Sequence, residues 1–382
     1  MELSDKYRDE YNLINEKVSG NKLNSRSLDC FDKGAAWKEA TLDNIYNEVH
    51  LGDFKKQKIH IETLIDLCKV ALVCFMQKKF ARNNEHDQEK IQDYIFDIET
   101  NIGVQRQVSA EHSAQPFKDK SPVDMCLYFG SKQTAELMKD IADQKSTIPV
   151  QNYELNACYI LHEINLPMCM CTAPFWNKEK KVNQNIGTLA TIILHELTHS
   201  VNSKFLPLLD LSKETQNKLT KYFVQLSMKI KTELNKEISD ECLVIDRTEF
   251  VKDESHSDDF ALECAFVLLD GLVDLAMPEK ESDFQIVYSN LCKTKKTPPC
   301  LEVFTDQIKK DFDLQNSSER PLAEIQDAKD EIREIFKQMW EYKITNESKK
   351  HCLHTDCHPI LIRSSLLKSE ESKCASSSMK AL

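Results

Sequence analysis

Glycine is scarce in this chain of 382 residues: only Gly20, Gly34, Gly52, Gly103, Gly130, Gly187 and Gly271 occur, no two closer than 14 positions. That spacing excludes the dinucleotide-binding G-x-G-x-x-G, the phosphate-binding P-loop, the kinase Gly-rich loop and the G-x-S-x-G nucleophile elbow. Each of these needs two glycines within a few residues. Few glycines also means few positions that demand φ > 0, which favours helices over tight hairpins. Long apolar runs are missing too. The most apolar stretch, 64–76, is interrupted by Asp66 and Lys69, and it is shorter than the roughly 18 residues a membrane span needs. Positive charge is in deficit, with 50 bases against 62 acids and a net charge of −12. Such a chain repels phosphate backbones and is not expected to bind nucleic acid. The short basic stretches 178–181 and 293–296 read as solvated faces.

Cysteine is not lacking. There are 14, irregularly spaced, and Cys68, Cys74 and Cys264 sit in apolar runs. They read as small buried hydrophobes in a reducing compartment rather than as a disulfide framework. The first ten residues contain no apolar core of a secretory signal, so a cytoplasmic location is expected. With 41% apolar and 29% charged residues, the composition is that of a soluble globular protein, and the length corresponds to two domains or one elaborated domain.

Periodicity divides the chain. Residues 1–115 read as a polar helical region in which Ile61, Leu64, Ile65, Leu67, Cys68, Ala71, Leu72 and Phe75 form one core-facing stripe. Residues 104–123 lose periodicity, carry two prolines and read as a linker or long loop. Residues 124–277 are more apolar. They offer short strands at 126–129, 147–150 and 157–164, a helix at 131–143 capped by Ser131, and strong helices at 188–201 and 260–276. A C-terminal helical region spans 278–362, with a long amphipathic helix at 322–342. The tail 363–382 reads as disordered. The expected fold class is α+β, mainly α, with a small sheet drawn from residues before His195.

Chemistry concentrates in Gly187-Thr-Leu-Ala-Thr-Ile-Ile-Leu-His195-Glu196-Leu-Thr-His199-Ser-Val201. On a helix, His195 and His199 are four apart and share a face. Two imidazoles so placed bind one Zn²⁺ and leave positions open for water. Glu196 stands where its carboxylate reaches the metal-bound water, takes a proton as the water attacks and passes it to the leaving amine. Leu189, Ile192, Ile193, Leu194 and Val201 make this a buried helix, in which His and Glu are costly unless something satisfies them.

Together with Cys171-Thr-Ala-Pro-Phe175-Trp176 before it and His256-Ser257-Asp258-Asp259-Phe260-Ala261 after it, this segment resembles the deuterolysin and lysine-specific metalloendopeptidase group, the aspzincins. The resemblance covers roughly residues 125–275 and implies a zincin-like metallopeptidase domain acting on a protein or peptide substrate. It also implies an aspartate as third zinc ligand, and Asp210, eleven residues past His199, stands within that family's spacing. The G-T motif and the tyrosine that follow H-E-x-x-H in the family are absent here.

Other third ligands compete. The metzincin pattern fails, because Asn202 and Phe205 occupy its glycine and histidine positions. Asp258 is an alternative ligand. Glu254-Ser-His-Ser-Asp258 also fits a gluzincin pattern, in which a glutamate on a later helix binds zinc and an aspartate four residues on supports a zinc histidine. The stretch between Asp210 and Asp258 reads as an inserted helical excursion at 214–236.

Two weaker signals complete the reading. His351, Cys352, His354, Cys357 and His358 crowd five soft ligands into eight residues without a matching second half. The tail from Lys368, an acidic cluster followed by small polar residues, resembles the C-terminal translocation signals of bacterial type IV secreted effectors. It implies action inside another cell. The sequence therefore points to a zinc metalloendopeptidase with Glu196 as general base. The alternatives are a catalytically silent zincin-fold protein-binding module and a zinc hydrolase of a non-peptide amide.

Overall fold

The computed structural model describes residues 26–103, 156–160, 162–201, 209–237, 248–277, 281–295, 300–314 and 319–350. Helices dominate, and the described strands form one three-stranded sheet. The expected mainly helical α+β class is observed.

Helix α1 (Arg26–Phe80) supplies the central core element. From Ile61 to Met76 nearly every side chain is buried, Asp66 and Lys69 included. The single stripe read from periodicity is thus only part of a helix covered on all sides, and the two charges are what disguise it. Each is satisfied internally. Lys295 pairs with the Asp66 carboxylate. The Lys69 ammonium donates to the carbonyls of Phe96 and Ile98. These lie at and just beyond the C-terminal end of α2 (Glu85–Phe96), where helix carbonyls favour a cation. Burial nevertheless brings the Lys69 pKa down to about 8.

The sheet has the order β1-β3-β2. Central β3 (Glu163–Leu166) runs parallel to β1 (Glu99–Ile102) and antiparallel to β2 (Cys158–Ile160). Strands β2 and β3 form a hairpin across the stretch expected to be a single strand at 157–164, and His162 turns it with φ 67°. Strand β1 lies in the region read as helical. Four residues are too few for a strand period to show, and its partner is 64 positions further on, Glu99 standing opposite Glu163. The strands expected at 126–129 and 147–150, the helix at 131–143 and the linker at 104–123 lie outside the described residues.

A continuous helical rod follows: α3 (Val182–Asn185), a π-turn (Ile186–Ala190) and α4 (Thr191–His199). It replaces the uniform helix expected at 188–201. Helix α5 (Lys213–Glu237) matches the expected excursion, and α6 (Thr248–Ala276) begins earlier than the expected 260. Helices α7 (Asp283–Thr294), α8 (Glu302–Asp311) and α9 (Leu322–Lys350) complete the described chain. No described helix is long and apolar enough to cross a membrane.

Helix α6 packs on α1 and α4. An aromatic cluster sets its position: Phe260 meets Phe75 of α1 at 5.2 Å and Tyr222 of α5 at 5.2 Å. It also stacks on Phe223 at 5.7 Å. Edge-to-face pairs of this kind add stabilisation beyond their area. At the other end of α6, Gly271 lets α7 approach; a Cβ there would lie 2.2 Å from the Phe284 ring.

Candidate metal centre

Helix α4 carries the H-E-x-x-H letters. Its apolar face, Ile193, Leu194 and Leu197, is fully buried, as is Leu189 in the π-turn before it, and Ile192 packs on the same core. The π-turn before it adds a residue to the helical repeat and so rotates everything downstream. Thr188 is bonded there to the carbonyls of Gln184 and Phe175, and Thr191 to that of Gly187. Gly187 lies against Ile335 of α9, where a Cβ would stand 2.9 Å from the Ile335 Cβ. The C-terminal helix therefore rests directly on the start of the site-bearing helix.

His195 is 3% exposed and Glu196 6%, while His199 is half-buried. The two rings stand nearly perpendicular, with their Nε2 atoms 3.2 Å apart. Both Nδ1 atoms are engaged by the neighbouring helix α6. The His195 Nδ1 meets Asp258 Oδ1 at 2.9 Å, with both groups buried. The His199 Nδ1 meets Ser257 Oγ at 3.0 Å. Thr198 Oγ1 adds bonds to the carbonyls of His195 and Ser257, tying α4 to α6 between the two rings.

This arrangement fits a zinc ion. Two nitrogens at about 2.05 Å from a tetrahedral metal lie about 3.3 Å apart, close to the separation found. A metal-binding imidazole commonly gives its other nitrogen to a carboxylate or similar acceptor, which fixes ring and tautomer. Asp258 does this for His195. The ligand-capable atoms of His195, Glu196 and His199 all lie within 4.8 Å of one another, and among the described residues no other His, Cys, Asp or Glu group of three comes this close.

Asp210 is not brought to this place. Its carboxylate is 92% exposed and pairs with Lys90 at 2.7 Å. The local chain explains why. Leu209 and Leu211 are buried on either side, so the residue between them, at φ 44°, faces outward. Just beyond, the Ser212 amide donates to the fully buried Asp87 at 2.9 Å, and the Ser212 hydroxyl donates to the same carboxylate. Burial alone would raise the Asp87 pKa, but hydrogen bonds from Ser212 and Thr215 lower it below the usual carboxylate range. That anchor fastens the start of α5 to the start of α2, and Asp210 with it. The first-choice third ligand read from spacing is therefore corrected: eleven residues of separation allowed Asp210 to reach the histidines, but the packing of its neighbours turns it to solvent.

Asp258 supports His195 rather than standing free as a ligand. Glu254 lies one turn before Asp258 in α6. Ser257 was not singled out from the sequence, although a polar His256-Ser257-Asp258 run at the head of an apolar helix was the available signal. Phe260 belongs to the aromatic cluster of the core. The His351–His358 group and the C-terminal tail lie outside the described residues.

No family model and no curated protein matches the chain. Among solved structures it is similar to the zinc metalloprotease Zmp1 of Mycobacterium tuberculosis, determined in complex with an inhibitor, with a TM-score of 0.54 and 11% identity. The match covers 84% of this chain and 54% of that one, so the chain spans about half the length of the protein it resembles. Over that stretch the two chains share a fold.

Proposed function

We propose that this protein is a zinc metallopeptidase, with His195 and His199 as ligands and Glu196 as general base. One observation carries the reading. The two Nε2 atoms face each other at 3.2 Å while Asp258 and Ser257 occupy the two Nδ1 atoms. With its Nδ1 proton given to Asp258, His195 aims an Nε2 lone pair at the point that His199 Nε2 also reaches, and a shared cation suits that point. The aspzincin resemblance enters through the H-E-x-x-H helix and the Cys171–Trp176 segment, and not through Asp210.

A catalytic zinc takes three protein ligands. For the third we propose Glu254. Asp258 is already engaged with His195, and Glu254 stands four positions before it, the spacing of the gluzincin pattern. Zinc bound here would polarise the scissile carbonyl and lower the pKa of a coordinated water. The protein's own groups do the rest. Asp258 accepts the Nδ1 proton of His195 and so holds it in the tautomer whose Nε2 lone pair can bind a metal, and Ser257 orients His199. Glu196, almost fully shielded from solvent, takes the proton of the attacking water and delivers it to the departing amine nitrogen.

The peptide substrate is supported by the sheet. Strand β2 lies at its edge among the described residues and packs on α4. An extended peptide can add to such an edge through main-chain hydrogen bonds. The delivery into another cell that the tail implies is part of the proposal, and a translocation assay with residues 363–382 deleted tests it.

The test of the activity is cleavage of a broad peptide library by zinc-loaded protein. The expected result is cleavage that a chelator abolishes and added zinc restores. Zinc binding without any cleavage would support a silent, partner-binding protein instead.

A further inference from the structure

The C-terminal end of α4 is held by a line of hydrogen bonds that the zinc site does not itself require. Tyr94, near the end of α2, donates its hydroxyl to the Ser200 carbonyl at 3.1 Å. Ser200 directly follows His199, and its carbonyl is among those a helix end leaves unsatisfied. The Tyr159 hydroxyl on β2 acts on that of Tyr94 as a donor does, countering part of the rise that burial imposes on its pKa. The Tyr159 hydroxyl in turn meets His162 Nδ1 at 3.1 Å. Tyr159 stands opposite Ile164 in the hairpin, and the fully buried Ile164 marks the core side of the sheet.

Counting protons fixes the direction of the line. A carbonyl only accepts, and each phenol has one proton. Tyr94 spends its proton on Ser200. Tyr159 must then donate to Tyr94, and the third link needs the proton on His162 Nδ1. The line runs from His162 through Tyr159 and Tyr94 to Ser200, all in one sense, so that each bond polarises the next. Its origin is itself fixed. His162 adopts the left-handed region at φ 67°, its carbonyl accepts from the Glu99 amide at 3.0 Å, and its ring lies 4.7 Å from that of Tyr94. Burial raises the pKa of both phenols, so both keep their protons at neutral pH.

We propose that Tyr94 and Tyr159 are positioning residues of the zinc site: the line from His162 to Ser200 sets the distance between His199 and the sheet edge on which a substrate lies. This inference rests on the zinc-peptidase reading. The line joins the two parts that reading needs in register, the helix that bears the ligands and the edge strand β2. Misplacement by about 1 Å at a catalytic centre can cost roughly 10²-fold in rate, so a bond acting at the residue after a ligand has leverage over turnover.

The test uses the full chain with Tyr94→Phe, Tyr159→Phe and the double variant. Each change removes a hydroxyl and keeps the ring. Cobalt-substituted protein gives a second readout, since its visible absorption bands report ligand geometry without any turnover. For Tyr94→Phe we expect kcat to fall roughly tenfold with KM changed less than about twofold, and the cobalt bands to shift. For Tyr159→Phe we expect a smaller fall of roughly threefold, because the terminal bond to Ser200 survives but is no longer polarised. The double variant should be no worse than Tyr94→Phe alone, the mark of groups acting in series. Unchanged kcat and cobalt bands in Tyr94→Phe, or losses that multiply in the double variant, would overturn the proposal. If the parent takes up no metal, the zinc reading fails. If the parent binds metal and cleaves but the tyrosine variants match it, only the positioning role fails.

Discussion

Two aspartates of this chain began with similar claims on a zinc ion and ended in opposite surroundings. Asp258 is buried on α6 and bonded to His195 Nδ1 at 2.9 Å. Asp210 is exposed between two buried leucines and paired with Lys90. The difference lies in what each residue is attached to. Asp258 sits inside a long helix whose phase is set by Phe260 and its aromatic partners, so its direction is dictated by packing on both sides. Asp210 sits in a short connection whose direction is dictated by its neighbours Leu209, Leu211 and Ser212. A carboxylate in a rigid, packed element can serve a metal centre, whereas one in a connection points wherever the anchoring residues leave it.

Substitutions at the site and at the two aspartates should separate in size. The largest effect belongs to Glu196. Glu196→Gln is nearly isosteric and should retain zinc while lowering turnover by roughly 10²–10⁴-fold, because the amide cannot accept the proton at neutral pH. Peptide cleavage and zinc content measured on the same sample check this. Asp258→Asn should weaken zinc binding by about 10–100-fold, since it disturbs the tautomer and orientation of His195. Asp210→Asn should leave zinc affinity unchanged. A competition titration with a chromophoric chelator separates the two, and equal losses from both substitutions would remove the distinction drawn here.

Smaller effects test the scaffold. Gly271→Ala places a methyl group against the Phe284 ring and should destabilise by about 1–3 kcal/mol, as overpacking does. A denaturant midpoint measures it. Lys69 should leave a signature in the pH dependence. Its folded pKa is brought down from 10.5 to about 8, so the unfolded chain binds more protons between those values and stability rises with pH across that window. Lys69→Met removes the contribution. The parent should therefore gain stability relative to this variant as pH climbs from about 8 towards 10, and a difference that is flat with pH would contradict a buried, perturbed ammonium.

The long, periodic elements were legible in the sequence. The excursion at 214–236 is α5 to within one residue at either end, and the buried helix through His195 and His199 was readable because its apolar letters recur at helical spacing around three costly polar ones. What escaped has physical reasons. The two charges at Asp66 and Lys69 disguise the all-round burial of the 61–76 stretch of α1, because their partners, Lys295 and the Phe96 and Ile98 carbonyls, lie far off in sequence. Strand β1 is four residues long and exists only through its pairing with β3. The π-turn at Ile186–Ala190 leaves no mark in the apolar pattern, yet it sets the phase of the site. The support of the two rings by Asp258 and Ser257 depends on how α6 crosses α4, which no local spacing records.

Every role proposed for the site depends on one zinc ion held between His195 and His199. The most direct test is an X-ray absorption spectrum at the zinc edge of the full chain, taken with a measurement of metal content. One zinc per chain is expected, with two imidazole nitrogens and oxygen ligands in its shell and no sulfur. Protein that takes up no stoichiometric zinc, or a zinc whose shell contains sulfur from any of the 14 cysteines, would exclude a zinc ion held by these two histidines.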